Sequence, residues 1–349
     1  MKSLKEYSLN LSEKDYHAYP AWSYSMIARY AREGFGAIAT LHEPVEQTDS
    51  MRFGSLFDCM LTHGMDVDKE FVVGIKVPDA ERKVLDTLIQ ISDARYYIEV
   101  TDNELAKAIE MTGYQSRWKF DTQKAHIDPF AEYYNEAKSG KTIVTQEEWS
   151  DAFEMLKAVK TDEYLSKHFK KDIEDNVEYI YQAQFKTEYS PFGGKDTVEI
   201  KIMPDMLEVN HTEKTIQPWD VKTSSVPAYD FAQHFVKFRY DIQASLYSDV
   251  LQAVIDKIPE YQDYKILPYL FMDISRTDKV PVTYEYDPRS ESQSDGLCFE
   301  SNGRELKYKS YRQLLEEIIE YETTMTKVPK YVTTTAPNDL VALLSFNRN

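Results

Sequence analysis

Apolar residues recur at helical spacing through most of the first half of the chain. Ser23 or Ser25 can cap one such helix, because serine oxygens accept hydrogen bonds from the free N–H groups at a helix start. Thr48 or Asp49 can cap a second helix, which ends at Gly64. The pattern therefore predicts two amphipathic helices in the N-terminal segment.

A longer polar stretch, residues 81–138, also has helical periodicity, with aromatic residues scattered along it and Gly140 after it. We interpret it as an inserted helical layer. The next segment begins with Thr145 and Glu148 at the spacing of a capping box, in which each side chain binds the other residue's backbone N–H. This segment predicts a helix that belongs to the scaffold.

Alternation of apolar and polar residues, which is typical of strands, begins near Val177. It continues through residues 177–189 and 197–209, and through the sequence IQPWDVKTS at residues 216–224. Turn residues separate these segments. The pattern predicts an antiparallel meander or a pair of hairpins.

The last predicted hairpin brings two acidic residues together. If it is symmetric about Thr212 and Glu213, Asp205 lies directly opposite Asp220, with Cβ atoms about 4.5 to 5.5 Å apart on one face. The register therefore predicts two carboxylates that share one site.

Side chains alternate across a strand, so Asp220 and Lys222 project from one face, while Trp219 and Val221 project from the other. Two facing carboxylates repel each other, and each raises the other's pKa unless a cation lies between them. Mg²⁺ and Mn²⁺ prefer oxygen ligands, and a lysine ammonium can stabilise charge on an attacked phosphorus. The constellation predicts phosphodiester hydrolysis. The alternative is a solvated surface ion pair without a catalytic role.

Composition adds three constraints. The 349 residues, 42% of them apolar, can bury a large core, which predicts one elaborated domain or one domain with a helical appendage. Two cysteines are too few for a disulfide framework or an iron–sulfur site, and no apolar run approaches a bilayer span, so we expect a cytoplasmic protein without membrane contact. The net charge of −18 opposes nucleic-acid binding, although bound cations and a few basic residues can reverse the sign within one cleft.

Residues 203–205 read MPD, and residues 219–223 read WDVKT. This pair resembles the Pro-Asp…(Asp/Glu)-x-Lys motif of the PD-(D/E)XK nuclease superfamily. Directly after it, Gln243 and Tyr247 match the Gln-x-x-x-Tyr element of RecB-type nuclease domains and RecE-like exonucleases (exonuclease VIII). Apolar residues at helical spacing predict one continuous helix over residues 231–254, with the Gln-x-x-x-Tyr pair bordering the site beside its apolar stripe.

The N-terminal half is similar to the Ser-x-Ser helix and the Gly-x-x-x-His helix that precede the nuclease core in RecE-like phage and prophage exonucleases. Counting four residues from Gly54 reaches Asp58, where the family has a metal-binding histidine. An aspartate binds Mg²⁺ or Mn²⁺ readily through oxygen, so we favour Asp58 as the third ligand. His63 is the alternative, but it lies about 140° around the helix from Asp58.

The resemblance implies an α/β fold with a restriction-endonuclease-like core, in which helices flank a mixed central β-sheet. Residues 1–140 would form a helical N-terminal part that contributes one metal-ligand helix, and residues 141–349 the nuclease core with a C-terminal helix, in one compact unit. The implied ligands of one or two Mg²⁺ or Mn²⁺ ions are Asp58, Asp205, Asp220 and the Val221 carbonyl. The implied catalytic residues are Asp205, Asp220 and Lys222, with Gln243 and Tyr247 positioning the substrate.

Within the RecE-like branch, the resemblance implies a 5′ to 3′ exonuclease of phage-type recombination. It would act on double-stranded DNA ends and leave a 3′ single strand for a single-strand-annealing recombination protein. Members of the branch can form rings threaded by DNA, so we expect a homo-oligomeric ring.

Three alternatives stay open: a single-strand nuclease or endonuclease, the nuclease module of a helicase complex, and an inactive protein that binds DNA ends. The sequence has no Gly-x-x-x-x-Gly-Lys-Ser/Thr loop for nucleotide hydrolysis.

Overall fold

The computed structural model describes residues 2–43, 45, 47–62, 67–170, 176–194, 197–290, 293, 295–301 and 303–324. The helices of this part of the chain are α1 Glu13–Ala18, α2 Tyr24–Glu33, α3 Asp49–Thr62, α4 Val67–Glu70, α5 Asp79–Ile91, α6 Asp102–Thr112, α7 Phe120–Ile127, α8 Ala131–Lys138, α9 Gln146–Thr161, α10 Phe231–Phe238, α11 Tyr240–Ile255 and α12 Tyr311–Thr324. Its strands are β1 Phe71–Val73, β2 Thr142–Val144, β3 Val177–Tyr181, β4 Phe185–Tyr189, β5 Val198–Ile202, β6 Met206–Asn210, β7 Thr215–Ser224, β8 Lys265–Ile266, β9 Tyr269–Ser275, β10 Pro281–Tyr286, β11 Cys298–Ser301 and β12 Arg304–Lys307. None of the described helices is both long and apolar enough to cross a membrane.

A mixed β-sheet forms the centre of the fold. Among the described residues it contains six strands, in the order β10–β9–β7–β6–β3, with β8 alongside β7. Strand β7 pairs in parallel with β9 and antiparallel with β6. The chain therefore has an α/β architecture, as the sequence predicts, with the β6–β7 hairpin near the middle of the sheet.

The β6–β7 hairpin has the predicted register. Met206 pairs with Trp219, and Asn210 pairs with Thr215. Because Asp205 directly precedes β6, the same register places it across from the residue after Trp219, which is Asp220. The tight turn therefore aligns the two acidic residues, as the hairpin symmetry predicts.

Two hydrophobic cores cover the two faces of this sheet. Ile216 and Phe271 point into the first core, to which α2, α11 and α12 contribute side chains. Trp219 and Met272 point into the second core, which contains side chains of α3 and α9. Alternation along β7 therefore turns Asp220 towards the α2–α11 side, away from Trp219.

A third core lies among helices α5 to α8, and its buried residues fall between Val77 and Tyr134. It is the helical layer predicted for residues 81–138, and this prediction is confirmed. Helix α9 begins with the predicted capping box of Thr145 and Glu148. Its buried side chains belong to the core that α3 also lines, so α9 supports the sheet from that side.

The continuous helix predicted over residues 231–254 is wrong, because the chain breaks at Arg239 into α10 and α11. Arg239 has a φ of 59°, in the left-handed region that disfavours residues with a side chain. Its buried guanidinium donates two hydrogen bonds to Asp241, at 2.9 and 3.0 Å, and a third to the Lys309 carbonyl at 2.6 Å. A periodic apolar stripe does not reveal this break, because the break depends on contacts with residues distant in sequence.

We predict that Arg239→Ala lowers the free energy of unfolding by about 3 to 5 kcal/mol, because it leaves the buried Asp241 carboxylate without its partner. Urea denaturation measures this loss. The matched control is Arg312→Ala, which breaks a pair with Asp249 whose arginine side chain is 52% exposed, and it is expected to cost less than about 1 kcal/mol. Equal losses in the two variants would mean that the Arg239 pair does not hold the break.

Candidate active site

The candidate site forms where two predicted strands are interrupted. Residues 177–189 and 197–209 each divide into two strands, with breaks at residues 182–184 and 203–205. The two breaks lie side by side, because the Gln182 N–H donates to the Asp205 carbonyl at 3.1 Å. Strands β4 and β5 pair with each other, outside the central sheet. The Asp205 side chain is therefore released from a regular ladder and turns towards β7.

Asp205 and Asp220 meet around the backbone of β7. One carboxylate oxygen of Asp205, Oδ2, accepts a hydrogen bond from the Val221 N–H at 2.7 Å. Asp220 is 1% exposed, and its Oδ1 accepts a hydrogen bond from the side-chain amide of Gln243. The structure thus brings together both acids and the glutamine of the predicted motif. Val221 enters the site through its N–H, and a ligand role for its carbonyl stays a prediction.

Gln243 and Tyr247 lie one turn apart on α11, and both are buried. Gln243 contacts Asp220 directly, whereas Tyr247 is part of the first hydrophobic core. The prediction that both residues border the site outside the core is therefore wrong for Tyr247. The reason is that α11 crosses the face of the sheet that carries Asp220, so residues at i and i+4 both point inwards. Burial raises the pKa of Tyr247 well above its ordinary value, and the nearby carboxylates add to this effect.

Lys222 occupies the same face as Asp220, two residues further along β7. Its Nζ lies 2.5 Å from Asp220 Oδ2 and 4.6 Å from the centre of the Tyr240 ring. Burial by itself lowers the pKa of Lys222, but attraction by Asp220 and further contributions from Tyr240 raise it above the ordinary value. The ammonium group is therefore charged at neutral pH.

Asp58 reaches the same site from α3. Its Oδ2 accepts a hydrogen bond from the side-chain amide of Gln182, while Oδ1 is buried without a hydrogen-bond partner. Burial raises the pKa of Asp58 to about 7, and the negative charge of Asp220 contributes to this rise. Burial also raises the pKa of Asp205 well above its usual range, with further contributions from Asp220 and Asp58. The three carboxylates therefore act on one another electrostatically.

Helix α3 packs against β7 at Gly54. A Cβ atom on Gly54 would lie 3.4 Å from Thr223 Oγ1, which is van der Waals contact. Asp58 follows one helical turn later, and it stands where the sequence places the third ligand. His63, the alternative ligand, lies outside the described residues.

The donor set decides which cation this site could take. All candidate side-chain donors are carboxylate oxygens, which suit Mg²⁺ or Mn²⁺ rather than metals that prefer sulfur or nitrogen. Within the described part of the chain, no group of three or more His, Cys, Asp or Glu side chains is arranged so that it could hold a metal ion. The buried, unpartnered oxygen of Asp58 and the mutual repulsion of Asp58, Asp205 and Asp220 nevertheless fit a divalent cation.

Three residues near the site were not found by sequence reasoning. Gln182 binds Asp58, Tyr240 lies under the Lys222 ammonium, and Asp273 is the neighbour of Lys222 on β9. The sequence does single out Asp273, because it is the only charged residue in the apolar segment YLFMDIS. No sequence pattern singles out Gln182 or Tyr240, since chain breaks at the ends of regular elements bring them to the site.

The comparisons with known proteins add little. No family model matches the sequence, and no curated protein matches it significantly. A solved structure described as "Crystal structure of SSO0001" has a TM-score of 0.27 and 13% sequence identity, over 71% of this chain and 88% of that chain. A similarity this low carries no argument about fold or function.

We predict that Asp58→Asn stabilises the cation-free protein, and increasingly so as the pH rises. An unfolded aspartate has a pKa of about 3.9, whereas burial raises that of Asp58 to about 7 in the folded state. The free energy of unfolding therefore decreases as the pH rises between these two pKa values. Above pH 7 the buried Asp58 is ionised, and its charge destabilises the folded state to the full extent. Urea denaturation in EDTA at pH 5 and pH 8 measures the difference between variant and wild type.

The control for this comparison is Asp79→Asn, because the side chain of Asp79 is 94% exposed. This variant should track the wild type at both pH values. A stability gain for Asp58→Asn that is the same at pH 5 and pH 8 would contradict the buried, repelled carboxylate.

We also predict that Mg²⁺ or Mn²⁺ raises the melting temperature of the wild-type protein, because a ligand that binds only the folded state stabilises it. Asp205→Asn and Asp220→Asn should each remove most of this rise, whereas Asp79→Asn should keep it. Differential scanning fluorimetry on EDTA-treated protein measures the effect. An undiminished rise in both site variants would place the cation elsewhere.

Proposed function

We propose that this protein is a divalent-cation-dependent deoxyribonuclease with a restriction-endonuclease-like core, and that it acts as a 5′ to 3′ exonuclease on double-stranded DNA ends. The order of elements supports the core: β3, β6 and β7 are antiparallel neighbours, α11 crosses over, and β9 returns parallel to β7. The exonuclease assignment rests on the resemblance of the MPD, WDVKT and Gln-x-x-x-Tyr motifs.

One observation carries the proposal. Asp58, Asp205 and Asp220 come from a helix, a strand break and a strand, and they act on one another electrostatically beside a charged lysine. Burying several carboxylates together opposes folding unless a cation or a proton compensates their charge. Several carboxylates buried together despite this unfavourable free energy are typical of a functional site rather than of structural support.

In the proposed reaction, Asp58, Asp205 and Asp220 would hold the cation. When bound, the cation would polarise a phosphate oxygen and lower the pKa of a bound water. Gln243 fixes the orientation of Asp220 through its amide, and the Val221 N–H fixes Asp205. Because the raised pKa of Lys222 keeps it protonated, its ammonium stabilises negative charge on the attacked phosphate and does not act as a base.

Part of the candidate site reaches the protein surface. Asp58, Asp205 and Lys222 are each only partly buried. A cavity of about 260 Å³ adjoins the site, and Gln182 and Met203 are among the residues that line it. The approach of a phosphate from this side is part of the proposal. The net charge of −18 is compatible with DNA binding in a homo-oligomeric ring whose lumen carries the basic residues, which is part of the proposal.

We predict that the protein degrades a linear duplex in Mg²⁺ and is inactive in EDTA. Lys222→Ala and Asp220→Asn should each lower the rate at least about 100-fold, because the first removes the positive charge beside the reacting phosphate and the second removes a proposed ligand of the cation. The matched control is Lys214→Ala, since Lys214 lies just before the same strand and pairs with the exposed Asp263 on the surface. This control should retain wild-type activity.

The substrate distinguishes the alternatives. Duplexes labelled at the 5′ or the 3′ end report polarity, and stepwise loss from the 5′ end is the expected result. Nicking of closed circles would indicate an endonuclease, and preference for single strands would indicate a single-strand nuclease. Binding of DNA ends without cleavage in either Mg²⁺ or Mn²⁺ would contradict the proposed enzyme.

A further inference from the structure

Asp273 is a buried acid in a strand that otherwise belongs to the hydrophobic core. All seven residues of β9 are buried, and Asp273 is 1% exposed. Its Oδ1 is buried and has no hydrogen-bond partner among the described residues, while its Oδ2 lies 3.4 Å from Ser224 Oγ. A buried carboxylate with so few hydrogen bonds opposes folding, and an apolar residue here would stabilise the core. The scaffold therefore offers no reason for this acid.

The strand pairing supplies a reason. In the parallel ladder of β7 and β9, Asp273 pairs with Lys222, just as Phe271 pairs with Asp220. Neighbouring strands lie about 4.8 Å apart, so paired side chains on the same face emerge next to each other. Burial raises the pKa of Asp273 to about 7, and the positive charge of Lys222 opposes this rise.

None of the other titratable groups that act on Asp273 attracts its carboxylate as Lys222 does. Asp278, in the turn between β9 and β10, repels the carboxylate and raises its pKa. Tyr240 and Tyr284 also interact with it, and negative charge on Asp273 raises the pKa of each phenol. Of these groups, Lys222 alone carries a positive charge.

Lys222 thus has two acidic neighbours: Asp220 at ion-pair distance, and Asp273 at the paired position on the next strand, beyond ion-pair distance. Asp220 Oδ2 lies 2.5 Å from Lys222 Nζ, but Asp220 is also a ligand of the proposed cation. A carboxylate that binds a divalent cation holds a neighbouring ammonium less strongly, because its charge is already compensated. Asp273 is not among the proposed ligands of the cation, so this second task does not fall to it.

We propose that Asp273 is the positioning residue of Lys222, and that its carboxylate holds the ammonium in the site while Asp220 binds the cation. This inference rests on the proposed function, because that function gives Lys222 its catalytic role. Asp273 touches neither the substrate nor the cation. It acts through the orientation and charge of Lys222, and therefore affects turnover more than substrate binding.

The test uses Asp273→Asn and Asp273→Ala in the full-length chain. We expect kcat for a linear duplex in Mg²⁺ to fall about 10- to 100-fold, as for other residues that orient a catalytic group, with KM nearly unchanged. Removing a buried, poorly bonded acid should leave the melting temperature unchanged or raise it. The matched control is Ser275→Ala, another buried polar residue of β9, and its kcat should stay at the wild-type value.

A second readout does not depend on cleavage. Lys222 can be modified by an amine-specific reagent in Mg²⁺ and quantified by peptide mass spectrometry. Without the Asp273 carboxylate the ammonium is held less firmly and moves more freely, so Asp273→Asn should increase the modification rate of Lys222 several-fold. Modification of Lys214, which is remote from Asp273, serves as the internal standard.

The outcomes separate the two proposals. Unchanged kcat and unchanged modification of Lys222 in both Asp273 variants would overturn the positioning role, and so would a loss of kcat that merely follows a loss of stability. If the wild-type protein cleaves no DNA, the proposed function fails, but faster modification of Lys222 in Asp273→Asn still supports the positioning role, and an unchanged rate refutes it.

Discussion

The confinement of like charges around Asp220 is the constraint on which the rest of the site depends. This carboxylate is almost completely buried, and its two oxygens face the Gln243 amide and the Lys222 ammonium. Asp205 and Asp58 lie close enough that Asp220 contributes to the raised pKa of both carboxyl groups. Such a cluster cannot persist in a flexible environment, because the side chains would separate to relieve their repulsion. The surrounding scaffold has to hold them together.

The scaffold does this with a small number of rigid contacts. The β6–β7 hairpin sets Asp205 across from Asp220 through its register. The break at Arg239 ends α10 and starts α11, from which Gln243 reaches Asp220 and Tyr240 reaches Lys222. The register and the chain break belong to the backbone, whereas the contacts of Gln243 and Tyr240 are made by side chains. The scaffold therefore fixes the positions of these side chains.

The same reasoning explains which parts of the site could be predicted from the sequence. The facing of Asp205 and Asp220 follows from one tight turn, so local symmetry was sufficient. Asp58 followed from the resemblance and from helical periodicity. Gln182 and Asp273 were missed, because their roles arise from a strand break and from a parallel pairing across a long crossover. The burial of Tyr247 was missed for a similar reason, since the angle at which α11 crosses the sheet decides it.

The sequence by itself determined the alternating and helical segments, the α/β class, the helical layer and the hairpin that aligns two acids. These features depend on interactions within a few residues, where hydrophobic period and turn chemistry act directly. Only the tertiary structure decided the left-handed break at Arg239, the approach of α3 at Gly54 and the pairing of Lys222 with Asp273. Each depends on groups distant along the chain, whose meeting is set by packing and burial across the whole domain.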